Sequence, residues 1–277
     1  MRFLYIGDIM GALGVETVRK VLPQVKLDEK PDFVIAQAEN VSAGKGITVN
    51  DFNKLQDIGI DFCTGGNWSL HLPDIYPSLK DPNQPIIRPA NYPEGTAGLR
   101  YKYLDTKKGK VLVISLLGKI VGKDADLTMD NPLRVIDKIL SEEADTQKIA
   151  IVVNFHGDYS SEKVVIGHYL DGKVTAVIGD HWHVPTADAR ILPGSTAHIT
   201  DVGMCGSLDS SLGVKLEPIY KRWRNNVQTR NDLVEDGPTQ FNAVLIDFDE
   251  KTNLATKIKQ IRITQTDNSW QSTSISL

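Results

Sequence analysis

Short runs of Val, Ile, Leu and Phe recur along this chain, separated by stretches whose apolar residues keep helical spacing. This alternation restricts the fold more than any other feature, because strands interleaved with helices close into a mostly parallel sheet covered by its crossover helices. Strands are expected near residues 2–6, 33–37, 60–64, 111–116, 149–154, 174–178, 197–201 and 242–247, and helices near 14–24, 50–57, 132–141 and 161–167. The segment 80–105, with several Pro and Gly, reads as a loop-rich insertion with short strands, and the polar tail 264–277 reads as frayed. No repeat or linker divides the remainder, so residues 1–263 are expected to form one α/β domain.

Function is written at the strand ends. "FLYIGD" closes on Asp8, "FVIAQAEN" on Glu39 and Asn40, "DFCTGGN" on Asn67, "IAIVVNFH" on His156, and "VTAVIGDHWH" on His181 and His183. In open α/β sheets the ligand crevice lies outside the carboxyl ends of the strands, so these distant positions converge on one edge. His181 and His183 are two apart, and in extended backbone both rings point to the same side. Asp and Asn at such places can simply cap helices or form turns. Three histidines and a glutamate do not fit that reading, and together the seven donors point to a metal centre.

The donor set narrows the metal chemistry. Seven ligands exceed the needs of one tetrahedral ion, and none is a thiolate. Nitrogen and oxygen donors with one carboxylate able to bridge suit two ions such as Mn, Fe or Zn, roughly 3.5–4 Å apart, which clamp both ends of a phosphoester displacement.

Composition removes other classes. The 277 residues are 41% apolar and 24% charged with a net charge of −4, so the chain has no global affinity for nucleic acid and any polyanion must be met locally. Cys63 and Cys205 lack a paired spacing and read as reduced core thiols. Asp8 interrupts the N-terminal apolar run too early for a signal peptide, and no apolar run approaches a membrane span, so a cytoplasmic protein is expected. There is no Gly-x-Ser-x-Gly elbow, and "SAGKGIT" lacks phosphate-loop spacing. Lys45 in that stretch is a candidate substrate contact. "PIYKRWRNNVQTR" gathers Lys221, Arg222, Arg224 and Arg230 near Trp223, which reads either as an RNA-facing patch or as a solvated amphipathic turn.

"GDIMG", "AENVSAGKGIT", "TGGN", "NFHGDYSSEK" and "GDHWHVPTADARILPGSTAHITDVGMCG", in order over residues 1 to 210, resemble the YmdB-like metallophosphoesterases of the calcineurin-like superfamily. The resemblance implies a four-layer α/β/β/α sandwich, a dinuclear metal centre and phosphodiesterase activity on 2′,3′- and 3′,5′-cyclic nucleotides through a hydroxide bridging the ions. It assigns Asp8, Asn40 and His183 to one ion, Asn67, His156 and His181 to the other, and Glu39 as the bridge.

One departure matters. Members of that family usually carry Gly-Asn-His after the third strand, with the histidine protonating the leaving group, whereas here the stretch is "GGNWSLH" with Trp68 in that place. An indole is no general acid, and such a loss typically costs about 10²–10⁴-fold for a poor leaving group. His71 and Asp180 are the candidate replacements. Asp180 stands where the family commonly has threonine, and Trp182 is another departure; Trp68 and Trp182 could stack on a base, at roughly 1–3 kcal/mol per base. Asp188 and Arg190 are expected to pair and orient the histidine loop. The leading expectation is a phosphodiesterase for a small nucleotide or diester. An impaired, nucleotide-binding regulator and an RNA-processing protein are the alternatives, and a homo-oligomer stays open.

Overall fold

The computed structural model describes residues 1–266 and 269–276. The chain runs β1 (Arg2–Ile6), β2 (Asp8–Ile9), α1 (Gly11–Glu29), β3 (Phe33–Gln37), α2 (Val49–Ile58), β4 (Phe62–Thr64), α3 (Tyr76–Lys80), β5 (Tyr101–Thr106) and β6 (Gly109–Leu117). It continues through α4 (Pro132–Glu142), β7 (Ala150–His156), α5 (Ser160–Tyr169), β8 (Ala176–Asp180), β9 (Arg190–Ile191), β10 (Ala197–Ile199) and β11 (Met204–Ser207). Last come α6 (Leu216–Asn225), β12 (Thr239–Asp249), β13 (Leu254–Thr266) and β14 (Ser269–Ser276).

These strands form two sheets. One has the order β14-β13-β12-β1-β3-β4, with β11 joining β12 to β2; the other has the order β5-β6-β7-β8-β10-β9. The pairs β1–β3, β3–β4, β6–β7, β7–β8 and β8–β10 are parallel, so their carboxyl ends share one rim of the molecule.

Alternation along each strand builds the layers. Leu4, Ile6, Val34 and Ala36 turn outward beneath Val18, Leu22 and Val25 of α1 and Phe52 and Leu55 of α2. Leu112, Ile114 and Val153 do the same beneath Ile136 and Ile139 of α4 and Ile166 of α5. The opposite faces meet, with Phe3, Ile35 and Phe62 of one sheet packed among Val111, Val113, Val152 and Ile178 of the other. The result is the expected four-layer α/β/β/α sandwich. Burial of apolar surface at about 25 cal/mol per Å² holds the layers together. Caps fix helix entry: Thr48 accepts from Asp51 N, and Asn131 accepts from Leu133 N and Arg134 N with Pro132 opening α4.

Two expectations on the fold are corrected. The tail 264–277, expected to fray, contributes the end of β13 and all of β14, which pairs antiparallel with it from Lys259↔Ser276 to Thr266↔Ser269. Residues 267, 268 and 277 lie outside the described residues. Sequence reasoning missed this hairpin because its strands bury few side chains, leaving Lys257, Arg262 and Trp270 exposed. Helix α1 also runs past Pro23 to Glu29. Pro23 is exposed, so the carbonyl it leaves without a partner lies on the outer, hydrated side of the helix. Both cysteines are free and buried, and burial pushes each thiol up to about 12, which makes them inert core residues. No helix among the described residues is long and apolar enough to cross a membrane.

Candidate metal centre

At the carboxyl rim the layer between the sheets changes character. The positions that follow Phe3, Ile35, Phe62, Val113, Val152 and Ile178 on the same strand faces are Tyr5, Gln37, Thr64, Ser115, Asn154 and Asp180, and all six are buried. They form one hydrogen-bonded network. Asp180 accepts from Tyr5 Oη at 3.0 Å, Gln37 Nε2 at 3.0 Å and Asn154 Nδ2 at 2.5 Å, and its other oxygen lies 2.6 Å from His156 Nδ1. Tyr5 and Thr64 share a bond of 2.8 Å, and Ser115 Oγ lies 2.9 Å from Asn154 Oδ1.

His156, the last residue of β7, therefore presents Nε2 outward. That nitrogen lies 3.0 Å from Glu39 Oε1 and 2.9 Å from Asn67 Oδ1. The His181 ring sits 4.3 Å from the His156 ring, and ligand atoms of Glu39, His156 and His181 lie within 4.8 Å of one another. On the other side of Glu39, Asn40 Nδ2 lies 3.4 Å from Glu39 Oε1, 3.3 Å from Asp8 Oδ1 and 3.4 Å from His183 Nε2. All seven side chains singled out from the sequence thus meet at one rim, in two groups of three with Glu39 between them.

Backbone geometry marks the site as well. His181 has φ 102° and His183 has φ 62°, a left-handed conformation that bulky residues rarely adopt and that surrounding structure must enforce. The restraints are visible: His181 N donates to Asp8 Oδ2 at 3.2 Å, Trp182 N donates to Asp201 Oδ2 at 2.9 Å, and His183 Nδ1 lies 3.2 Å from Leu212 O. Gly66 is equally constrained. A Cβ there would press on Glu39 Oε2 and come within 2.5 Å of His156 Nε2. Gly66→Ala is expected to spread these two donors and lower activity at least tenfold, with overpacking costing about 1–3 kcal/mol of stability; an alanine variant with wild-type turnover and melting temperature would contradict this packing.

Electrostatics follow from the contacts. Burial works to lower the His156 pKa, but the Glu39 and Asp180 carboxylates raise it well above the ordinary imidazole value. Burial works to raise Asp180, yet His156 and Lys163 hold it below the usual carboxylate range. Asp8 is pushed well up, by burial and then by the charge of Asp180. Burial lowers His183 and favours its neutral, electron-donating form.

The remaining sequence candidates divide. Trp68 N donates to Glu39 Oε2 at 2.8 Å, Lys45 Nζ lies 4.6 Å over the Trp68 ring, and exposed His71 meets that ring edge-on at 4.9 Å, so these three form one lip of the cleft. Trp182 has one face occupied by Lys163 Nζ at 4.1 Å and donates Nε1–H to Asp158 O at 3.0 Å. Asp180 cannot replace the missing acid. It shares the inward face of β8 with Ala176 and Ile178, is fully buried, and is saturated by four donors behind His156. Nor do Asp188 and Arg190 pair: Asp188 accepts from Thr186 Oγ1 at 2.6 Å and Thr200 Oγ1 at 2.5 Å, whereas Arg190 Nη2 reaches His168 at 3.2 Å. Neutral hydroxyls of Thr186 and of Thr200, just after β10, close around Asp188, and the exposed Arg190 turns to the neighbouring helix.

Sequence reasoning overlooked Asp158, Asp124 and the pair Lys163–Asp201. Asp158 Oδ1 lies 3.4 Å from His181 Nε2, and Asp124 Oδ2 accepts from Asn67 Nδ2 at 2.8 Å, turning Asn67 Oδ1 toward His156. Lys163 is fully buried, bonded to Asp201 Oδ2 at 2.8 Å and to Asp180 O at 2.6 Å. The one signal for these groups was position: Asp158 and Lys163 follow His156 within the quoted "NFHGDYSSEK".

Comparison with known proteins agrees with this architecture. The YmdB-like protein family matches residues 4–261. A Bacillus subtilis (strain 168) protein described as 2′,3′-cyclic-nucleotide 2′-phosphodiesterase is 39% identical over 264 residues, covering 95% of this chain and 97% of that one. The crystal structure of a phosphatase from Mycoplasma pneumoniae superposes with TM-score 0.88 at 28% identity, covering 96% of this chain and 94% of that one. A Thermus thermophilus protein described as hypothetical superposes with TM-score 0.83 at 30% identity over 100% of this chain and 99% of its own. Sequence and fold agree along nearly the whole length: this chain belongs to the YmdB-like family and has the metallophosphoesterase fold.

Proposed function

We propose that the rim is a dinuclear metal centre and that the chain is a metal-dependent phosphodiesterase for cyclic nucleotides or similar small diesters. One observation carries the reading: six donors stand in two groups around a shared carboxylate, Glu39. Charge supports it. Asp8, Glu39, Asp180 and Asp201 are all at most 1% exposed, and Lys163 and a protonated His156 offset only two of them, so bound cations fit the balance. The name of the Bacillus subtilis relative supports the substrate class.

When bound, the two metal ions would supply Lewis-acid polarisation of the phosphoryl group and of the attacking water. The protein's own groups set the geometry. Asp180 fixes the His156 tautomer with Nε2 toward the cleft, Asp124 turns the Asn67 oxygen inward, and the 181–183 loop aims both histidines across from Asp8. Lys45, seated over the half-buried Trp68 ring, brings positive charge at the lip to an approaching phosphate. Among the sequence candidates, His71 is the titratable group left at that lip to protonate a leaving oxygen.

Trp68 supports a second reading, an attenuated enzyme that chiefly binds its nucleotide. Leaving-group dependence separates the two. Protein loaded with Mn²⁺ should cleave an activated aryl phosphodiester, which needs no acid, and 2′,3′-cyclic nucleotides within about 100-fold of that rate. Metal content near two ions per chain with both activities supports the enzyme; ready aryl cleavage without cyclic-nucleotide turnover supports the binding protein. Chains that retain no metal and cleave neither substrate would refute both.

A further inference from the structure

Lys163 is the fourth residue of α5 and is fully buried, and neither its helix nor the stability of the fold accounts for it. A positive charge so near a helix N-terminus opposes the helix dipole. Its partner Asp201 is buried as completely, with Oδ2 2.8 Å from Lys163 Nζ. Removing two charges from water costs about as much as their attraction returns, so an apolar pair of similar volume often serves stability equally well. The pair calls for another explanation.

The second contact of the ammonium supplies one. Lys163 Nζ donates to Asp180 O at 2.6 Å, and from the same peptide group His181 N donates to Asp8 Oδ2 at 3.2 Å. The peptide that leads into His181 is thereby held at both ends. The peptide that leaves His181 is held too: Trp182 N donates at 2.9 Å to Asp201 Oδ2, the oxygen that already binds Lys163. Asp201 Oδ1 takes Gly203 N at 2.9 Å, which fastens the clasp to the start of the next strand. Between these ties His181 stands at φ 102° and His183 at φ 62°, backbone conformations that persist only where the surroundings over-determine them. Trp182 seals the arrangement, its ring over Nζ at 4.1 Å and its indole N–H on Asp158 O at 3.0 Å.

We propose that Lys163 is a positioning residue for the metal centre: with Asp201 it locks the backbone of residues 180–183, so that His181 and His183 stand preset to receive cations. This inference rests on the metal-centre reading and adds that two of the ligands are aimed from behind before any cation arrives.

The test must separate tether from charge, because deleting a cation near the rim would by itself favour cation binding. Lys163→Met/Asp201→Asn removes one charge of each sign and leaves the net charge beside the rim unchanged. In calorimetric titration of the full chain with Mn²⁺, this variant should bind about 10–100-fold more weakly than wild type, the cost of losing groups that orient metal ligands. Its melting temperature without metal should stay close to that of wild type, whereas Lys163→Met alone should melt well below both, with a carboxylate left buried and unpaired. Hydrogen exchange on metal-free protein reads the lock without the ions: in the double variant the amides of His181 and Trp182 should exchange about tenfold faster or more, while those of β7 stay slow. Wild-type Mn²⁺ affinity in the double variant, or unchanged exchange at those two amides, would overturn the proposal and leave the metal centre standing. Protection lost evenly through β7 as well would make the pair a plain stability element and overturn it too. A wild type that binds no Mn²⁺ would instead overturn the metal-centre reading, and this inference with it.

Discussion

Glu39→Gln should leave the fold intact and strip the protein of bound metal. The glutamine oxygen can still accept from Trp68 N, the 2.8 Å contact that ties the loop after β4 to the end of β3, so the architecture has no reason to change. The charge shared between the two donor groups disappears. Substitution of groups that merely orient metal ligands costs about 10–100-fold in affinity. Glu39 faces His156 Nε2 and Asn40 directly, so its loss should exceed roughly 100-fold in affinity and abolish turnover of every diester. Calorimetric Mn²⁺ titration, with elemental analysis of protein purified without chelator, measures this. Wild-type metal stoichiometry in the Gln variant would remove Glu39 from the role of bridge.

The second large effect is a gain. Trp68→His should raise kcat on a 2′,3′-cyclic nucleotide about 100-fold, equivalent to about 2.7 kcal/mol of barrier, and leave an activated aryl diester almost unchanged. An imidazole at the lip can give a proton to a poor leaving alkoxide, and an indole cannot. Because the Trp68 ring carries the Lys45 ammonium at 4.6 Å, the substitution also frees that lysine, which should appear as a change in KM. His71→Ala in the wild-type background completes the test. If neither substitution alters the ratio of the two substrates, proton donation comes from neither position.

The rim was legible in the sequence because it depends on strand ends, and strand ends are what apolar runs and their punctuation reveal best. Strands β1 and β3 lie where the apolar runs placed them, residues 2–6 and 33–37, and every donor drawn from those ends meets the others. Asp180 shows where such reading stops. Adjacent to two cleft-facing histidines in sequence, it points the other way, because strand parity gives it the face of Ala176 and Ile178 while the chain after it twists into the positive-φ loop. Applying that parity to β8 would have identified it as a support of His156. Lys163 and Asp201 lie within quoted motifs, yet their pairing was not legible, for a different reason. Their pairing spans 38 residues between a helix and a loop, and a buried lysine has no local pattern that distinguishes it from a solvated one.

The layout of the rim reaches past catalysis. Asp8, Glu39, Asn40 and Asn67 hang from the sheet built on β1, β3 and β4, whereas His156, His181 and His183 hang from the sheet built on β7 and β8. Cations held here are rivets through the seam between two halves of the molecule, and mass action couples their occupancy to whether those halves stay registered. A chelator would then do more than silence chemistry: amide exchange should quicken along both facing sheets, including strand residues that touch no substrate.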